Sequence, residues 1–436
     1  MAVVAAVVLV TSGCLGGGEG GGGGGGVGGG TKAGDKKVEM MTGFGGEQLK
    51  ALQAETAAIG KELGITIDVV PSTDFNTLIR SRVAGNNTPD IAGFPQPGLL
   101  LDIAKQGKLA DLGTVLNMDT IKAGLVPGEL DAATADDGKV YGVPFSMNVK
   151  SIVFYDKPNF EKAGYTIPTT NDELLALTDK IRSEGKTPWC IGIESGPATG
   201  WPATDWLESY VLYFGGPEKY DQWIKHEIPF NDPIVKQAAQ QFEKIAFTDG
   251  NVAGGRKAIV SNPFQTAANP MFKNPPGCYM HRQGNFITQK GFFPDNVRAK
   301  MDQEVGVFSL PPVQAGAAPV LGGGDLLGLF NSKDDDAKKV MEAMSNEKFG
   351  TRTPYAKTGE WISPFKTFDV TQYPNKVLQD IAKIGYSASV FRFDGSDAMP
   401  GTVGTGSFWK GMVAWVGGTQ DLDTTLKKID ESWPKS

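Results

Sequence analysis

Between Val38 and Phe94 short apolar runs alternate with helical periodicity, and this alternation restricts the fold more than any other feature. Val38 to Thr42 reads as a strand. Glu47 to Leu63 then places Leu49, Leu52, Ile59 and Leu63 on one helical face, and Gly64 supplies a stop. Ile65 to Val70 is a second strand, closed by Pro71. Ser72 or Thr73 can cap a helix bearing Phe75, Leu78, Ile79 and Val83. After the loop Gly85-Asn-Asn-Thr-Pro89, Ile91 to Phe94 forms a third strand. Strand-helix-strand-helix-strand means a parallel sheet with right-handed crossovers. In such sheets ligands lie beyond the carboxyl ends of the strands. That brings two loops to a site, Gly43-Phe44-Gly45-Gly46-Glu47 and Pro95-Gln96-Pro97-Gly98. The glycines at 43, 45 and 46 either let backbone approach a ligand or make a tight turn.

A second informative stretch runs from Gly138 to Glu173. Tyr141, Val143 and Phe145 alternate as in a half-buried strand, and Ser151 to Tyr155 reads as a buried one. Ser146-Met147-Asn148 is a polar break between them. Thr170-x-x-Glu173 is a capping box ahead of Leu174, Leu177 and Ile181 on one helical face. As pattern alone this is a β-β-α passage of any α/β protein. Its wording says more. Asp137-Gly-Lys-Val-Tyr-Gly-Val-Pro144, Phe154-Tyr155-Asp156, Phe160-Glu-Lys-Ala-Gly164 and Pro168-Thr-Thr170 resemble the extracellular solute-binding proteins of carbohydrate ABC transporters. That family usually has Asn at the place of Asp156. Thr88 to Gly98 resembles it too. The resemblance implies a periplasmic-binding-protein-like fold of two α/β lobes, with this stretch crossing the hinge from the first into the second.

Length and charge agree. A chain of 436 residues exceeds one ordinary core. A net charge of −7 with no basic stripe argues against nucleic acid as a partner. His226 and His281 are the only histidines, and no His/Cys cluster has metal-ligand spacing, so neither a metal nor a cofactor is expected. At the N-terminus, Ala2 to Val10 is apolar but too short to span a bilayer. It reads as part of a signal peptide, residues 1–13, with no basic segment before it, as though the start were clipped or misassigned. Thr11-Ser12-Gly13-Cys14 resembles a bacterial lipobox, with Thr where Leu is usual; the resemblance implies a lipidated Cys14. Residues 14–34 are then a tether, nearly all glycine from Gly16 to Gly30. The plainer alternative is a small-residue tail with an incidental cysteine. Export would put Cys190 and Cys278 in an oxidising compartment, where a pair is expected to bridge; two buried thiols are the alternative.

Beyond the hinge, Gly200-Trp201-Pro-Ala-Thr-Asp205-Trp206 opens a helix at Pro202. Trp206, Leu207, Tyr210, Val211 and Phe214 form a core stripe. Trp201 and Asp205 lie at the helix mouth. A sugar presents an apolar face and a polar rim, which an aromatic ring and a carboxylate can meet. The same pair could be a structural Trp and a capping Asp. Pro233 to Ala246 is another helix. Gly277 to Phe286 resembles the family's polar-aromatic ligand loop, which brings in Asn285 and Phe286. Glu304 to Leu310 reads as a strand returning to the first lobe. Gly322-Gly-Gly324-Asp325 either frees backbone amides for a ligand or makes a flexible turn. Trp361-Ile-Ser-Pro364 is an aromatic loop. Arg392-Phe-Asp394-Gly-Ser-Asp397-Ala-Met-Pro400 resembles a ligand segment of the α-glucoside-binding branch. Arg392 and Asp397 are polar anchors in that reading; otherwise they pair with each other.

No G-x-S-x-G, P-loop, H-E-x-x-H or G-x-G-x-x-G motif occurs in its required context. A secreted glycoside hydrolase using paired carboxylates is the second reading, and an adhesion or scaffold protein the third. The leading expectation is a monomeric cell-surface lipoprotein that binds an α-linked gluco-oligosaccharide between its lobes and delivers it to a membrane permease. Lobe 1 is expected at 35–146 and 302–349, and lobe 2 at 147–301 and 350–436. Hinge segments are expected near Phe145 to Asn148, Lys300 to Glu304 and Phe349 to Pro354. Candidate contacts are Phe44, Glu47, Gln96, Asn148, Trp201, Asp205, Asn285, Phe286, Gly324, Asp325, Trp361, Arg392 and Asp397. Loss of either carboxylate, Asp205 or Asp397, is expected to weaken binding with little change in melting temperature.

Overall fold

The computed structural model describes residues 34–313 and 318–435. The leader, Cys14 and the glycine-rich tether up to residue 33 lie outside the described residues. In chain order the strands are β1 (Lys37–Thr42), β2 (Thr66–Pro71), β3 (Ile91–Phe94), β4 (Val143–Pro144), β5 (Asn148–Val149), β6 (Ile152–Asp156), β7 (Met280–Arg282), β8 (Val305–Ser309), β9 (Val320–Gly323), β10 (Leu326–Leu329) and β11 (Phe391–Phe393). They form three sheets, ordered β2-β1-β3-β10-β4, β11-β9-β5 and β7-β6-β8.

The first sheet carries the expected parallel core. β1 pairs in parallel with β2 and β3, joined by α1 (Gly46–Leu63) and α2 (Phe75–Ala84). Gly64 ends α1 with φ 66°, a left-handed turn that a side chain would strain. The cap of α2 is Asp74, which accepts the Thr77 N–H, rather than Ser72 or Thr73. The helix starts one residue later than expected, and that puts the Asp carboxylate in reach of the free amides of the first turn. α3 (Pro97–Lys105) follows β3 directly, with Pro97 in its first turn. The capping box at Thr170 forms as expected and opens the helix Asn171–Ser183.

Two apolar clusters hold the molecule. One joins Met40, Ile91, Phe94 and Leu327 of the first sheet to Phe145, Trp361 and Ile381. The other surrounds the helices Trp201–Ile224 and Pro233–Ala246 with Trp206, Tyr210, Trp223, Phe242 and Trp415. Each large side chain fully removed from water stabilises by roughly 1.5–3 kcal/mol. The first sheet and the second cluster mark the two lobes, and the first cluster runs on past the crossing to Ile152, Phe154, Cys190 and Cys278.

The chain crosses between them as a narrow ribbon. Its outgoing strand runs β4 to β5 and its returning strand β9 to β10, with the Phe145 N–H donating to the Asp325 carbonyl at 3.0 Å. One expectation about the crossings changes here. Val305–Ser309 does not return to the first lobe: β8 pairs along β6, from Ile152 opposite Ser309 to Asp156 opposite Val305. The return comes later, between β9 and β10. The stretch from Tyr355 to Ala382 touches both sides of the crossing: Tyr355 and Trp361 stack in the first cluster, while the Glu360 carbonyl accepts from Gln289 at 2.9 Å and the helix Lys376–Tyr386 packs on β8 and β5. Trp361 anchors it by donating its indole N–H to the Phe145 carbonyl at 2.7 Å. Backbone pairing decides where β8 lies, and it does not show in a one-dimensional pattern.

Cys190 and Cys278 are bridged across 88 residues, with Cα atoms 5.5 Å apart. Among the described residues no helix is long and apolar enough to cross a membrane.

Candidate ligand site beside the crossing

One residue past β5 the chain places Lys150, 7% exposed, into the second lobe. Its ammonium donates to Asp205 at 3.0 Å and to Asp394. Arg282, from β7, faces the other oxygen of Asp205 at 3.3 Å and donates to the Asp205 carbonyl at 2.9 Å and the Ser209 hydroxyl at 2.8 Å. Glu208, one helical turn after Asp205, accepts the N–H groups of Gly395 at 2.9 Å and Ser396 at 3.1 Å. Asp394 caps the same turn, accepting the Asp397 N–H at 3.0 Å and the Ser396 hydroxyl at 2.7 Å. Four acids thus meet two bases in a largely buried cluster.

Charge is distributed unevenly in it. Burial opposes the Lys150 charge, but Asp205, Asp394 and Asp397 outweigh that and hold the ammonium above the ordinary lysine range. Burial likewise opposes the Asp394 charge, yet Lys150 and neighbouring hydrogen bonds keep it below the usual carboxylate range. Burial pushes Glu208 and Asp397 well up, reinforced by the charge on Asp394. Asp205 is raised by burial against the pull of Lys150. Asp205, Glu208 and Asp394 bring carboxylate oxygens within 4.8 Å of one another. Lys150 already donates to two of them, so this donor set fits an ammonium rather than a metal ion.

Against the cluster stands an aromatic wall. Trp201, half-buried, lies with its ring centroid 5.2 Å from the Lys150 nitrogen. Phe264 and Phe286 meet it at 4.9 and 5.7 Å, and Phe292 closes the group against both. Trp409, also half-buried, donates its indole N–H to the Ser396 hydroxyl at 3.1 Å. Gln96, just before α3, lies near the Asp397 carboxyl and accepts a hydrogen bond from Asn76 at 2.9 Å. Half-buried rings beside carboxylates suit a ligand with an apolar face and a hydroxylated rim.

The structure brings together Trp201, Asp205, Phe286, Asp397 and Gln96 from the expected set. Asp205, however, is fully buried behind the wall. The others lie elsewhere. Phe44 is buried and stacks on Phe145 at 5.6 Å. Glu47 is exposed, pairs with Lys50, and lines a groove of about 490 Å³ with Lys290, Tyr355 and Glu360. Asn148 is half-buried in β5, and Asn285 accepts the Val149 N–H at 2.7 Å, which fixes that strand. Gly324 and Asp325 belong to the crossing ribbon and are buried there. Trp361 is buried, stacked on Tyr355 at 5.1 Å. Arg392 forms a two-pronged pair with Asp221, at 2.7 and 2.9 Å, and reaches Asp131 at 3.2 Å. The alternative pairing of Arg392 with Asp397 is therefore not made. Sequence reasoning passed over Lys150, Glu208, Arg282, Asp394, Phe264, Phe292 and Trp409. A signal existed for two: Lys150 precedes the apolar run Ser151 to Tyr155, and Glu208 interrupts the core stripe. A charge in either place needs a buried partner.

Two lobes joined by a ribbon, with a half-buried aromatic wall beside it, have the architecture of a two-lobed solute receptor. The chain belongs to the family of bacterial extracellular solute-binding proteins, whose model matches residues 45–350. It is 39% identical to the osmoprotective compounds-binding protein GgtB of Synechocystis sp., over 92% of this chain and 94% of that one. It is 36% identical to the alpha-glucosides-binding periplasmic protein AglE of Rhizobium meliloti, over 92% and 88%. The fold matches that of the bacterial solute receptor AcbH at a TM-score of 0.74 and 20% identity, covering 91% of this chain and 97% of that one. The protein is thus a solute-binding component of an ABC transporter and not an enzyme, and the glycoside hydrolase reading is set aside.

Proposed function

We propose that the protein captures an α-glucoside between its lobes and delivers it to the membrane permease of an ABC importer. The observation that carries this is the half-buried wall of Trp201, Phe264 and Phe286, joined through Lys150 to the acidic cluster that includes Asp397. Similarity to AglE supports the α-glucoside class. The higher identity to GgtB favours a second reading, a small polyhydroxylated osmoprotective compound, which the same wall would suit. Ligand preference for the closed arrangement would draw the lobes together about the ribbon, as in other hinged receptors. On this reading the chain acts as a monomer tethered to the outer face of the membrane through Cys14.

A thermal-shift screen of residues 31–436 against mono-, di- and oligosaccharides, polyols and betaines tests the proposal. A ligand at about 100 times its dissociation constant adds roughly 2.7 kcal/mol. A shift with a subset of α-glucosides, recovered chemically unchanged, supports it. A shift only with small polyols or betaines moves the assignment to the second reading. No shift with any saccharide overturns the α-glucoside assignment.

A further inference from the structure

Lys150 occupies an unusual place. By backbone it belongs to the crossing: β5 ends at Val149, and the Lys150 N–H donates to the Leu321 carbonyl of β9 at 2.9 Å. By side chain it belongs to the site, because its ammonium bonds Asp205 and Asp394 and lies against the ring of Trp201. Asp394 in turn holds the Ser396 hydroxyl and the Asp397 N–H, and the Ser396 hydroxyl receives Trp409. One cation therefore reaches Trp201 directly, Asp397 through Asp394, and Trp409 through Asp394 and Ser396.

We infer that Lys150 is a positioning residue that ties the ligand-facing side chains Trp201, Asp397 and Trp409 to the crossing ribbon. This rests on the saccharide reading of the site. A neutral ligand offers no charge that would require a buried ammonium, so Lys150 acts through its neighbours. The charged groups around it are Asp205 and Glu208 from the helix Trp201–Ile224, Asp394 and Asp397 from the turn before residue 399, and Arg282 from β7. Take the cation away and Asp394 is a buried anion without its counter-ion, while Asp205 keeps Arg282. Asp394 must then move or take up a proton. Movement of the anion releases the turn that carries Asp397, whereas a neutral group at 394 can stay and keep its bonds to Ser396 and Asp397.

Three variants test this: Lys150→Met, Lys150→Arg, and Lys150→Met combined with Asp394→Asn. The last leaves Asp394 uncharged and keeps a foldable comparison if the single variant fails. Affinity for the best α-glucoside is measured by calorimetry at pH 5.5 and 8. The ligand-free near-UV spectrum of Trp201 is taken as the difference between each variant and its Trp201→Phe partner. Lys150→Met is expected to bind about tenfold or more weakly at pH 8, with a smaller loss at pH 5.5 where Asp394 protonates. The double variant should recover to within about threefold of the native protein, and Lys150→Arg should keep most of the affinity. The Trp201 band should collapse in Lys150→Met. Native affinity in Lys150→Met at both pH values, or a Trp201 band unchanged in it, overturns the inference. If the native protein binds no saccharide at all, the α-glucoside reading has failed, and the ligand-free Trp201 spectrum still decides the role of Lys150.

Discussion

Ser146 and Asp325 exchange two hydrogen bonds across the crossing: the hydroxyl donates to the carboxyl at 2.7 Å and accepts the Asp325 N–H at 2.8 Å. Burial pushes the Asp325 carboxyl from its ordinary 3.8 up to about 6, and the Ser146 bond offsets only part of this. The folded protein therefore holds this proton more tightly than the unfolded chain. Its contribution to stability is complete below about pH 4 and is lost as pH rises toward 6. Asp325→Asn keeps an acceptor for the hydroxyl and removes the titration. It should match the native protein at pH 4 and exceed it by up to about 3 kcal/mol at pH 8. Urea unfolding at the two pH values reads this directly. An equal effect at both would show that the carboxyl is not buried as an acid.

Gly324 lies beside that pair with φ 147°, and a Cβ on it would come within 2.1 Å of the Ser146 carbonyl oxygen. Gly323, one residue earlier, would place a Cβ in ordinary contact, 3.8 Å from the Lys150 side chain. Gly324→Ala should therefore lose about 3 kcal/mol or more, whereas Gly323→Ala should stay within about 1 kcal/mol. Denaturant midpoints of the two variants make the comparison. Similar values would mean that the ribbon deforms easily at Gly324.

The bridge between Cys190 and Cys278 closes a long loop, its ends 88 positions apart in sequence. The chain-entropy account gives about 4–5 kcal/mol for a loop of that length. Replacing both cysteines by Ala should lower the unfolding free energy by that order. A thiol count on unreduced, unfolded residues 31–436 should find no reactive sulfur. Two free thiols would remove the bridge from the account.

The sheet and the site were not equally legible in the sequence. The β-α-β-α-β run from Val38 to Phe94 could be read because each element carries its own period and stop, and Gly64 or the Thr170 box acts within a few residues. The family wording around the hinge read correctly for the same local reason. Site residues are a different problem. Trp361 in its loop and Trp201 at its helix mouth look alike as aromatics outside any core stripe, yet one is stacked in the first core and the other half-buried at the wall. What separates them is contact with Phe145 in one case and Lys150 in the other, partners far away along the chain. Arg392 shows the same limit: its counter-ion is Asp221, not the nearby Asp397. The strand Val305–Ser309 had the right period, but which neighbour it pairs with is a property of the folded sheet.

Asp205 and Asp397 began with equal standing as carboxylates for a sugar, and their surroundings now separate them. Asp205 is fully buried and serves as counter-ion to both Lys150 and Arg282. Neutralising it leaves two buried cations short of an anion, and breaking such a pair costs about 3–5 kcal/mol. Asp205→Asn should thus reduce stability on that scale, contrary to the expectation drawn from sequence. Asp397 is half-buried, on a turn whose geometry is fixed by Asp394 and Glu208. Burial already raises its carboxyl well above the ordinary range, so loss of its charge should leave the melting temperature nearly unchanged. What Asp397→Asn changes is the hydrogen-bonding edge offered to ligand hydroxyls, which on the scale of an uncharged bond weakens binding by about 0.5–1.5 kcal/mol. Calorimetric titration together with melting curves for both variants distinguishes the roles. If Asp397→Asn binds like the native protein, the polar side of the pocket is supplied by Gln96 and Trp409 instead, and the carboxyl at 397 serves the turn alone.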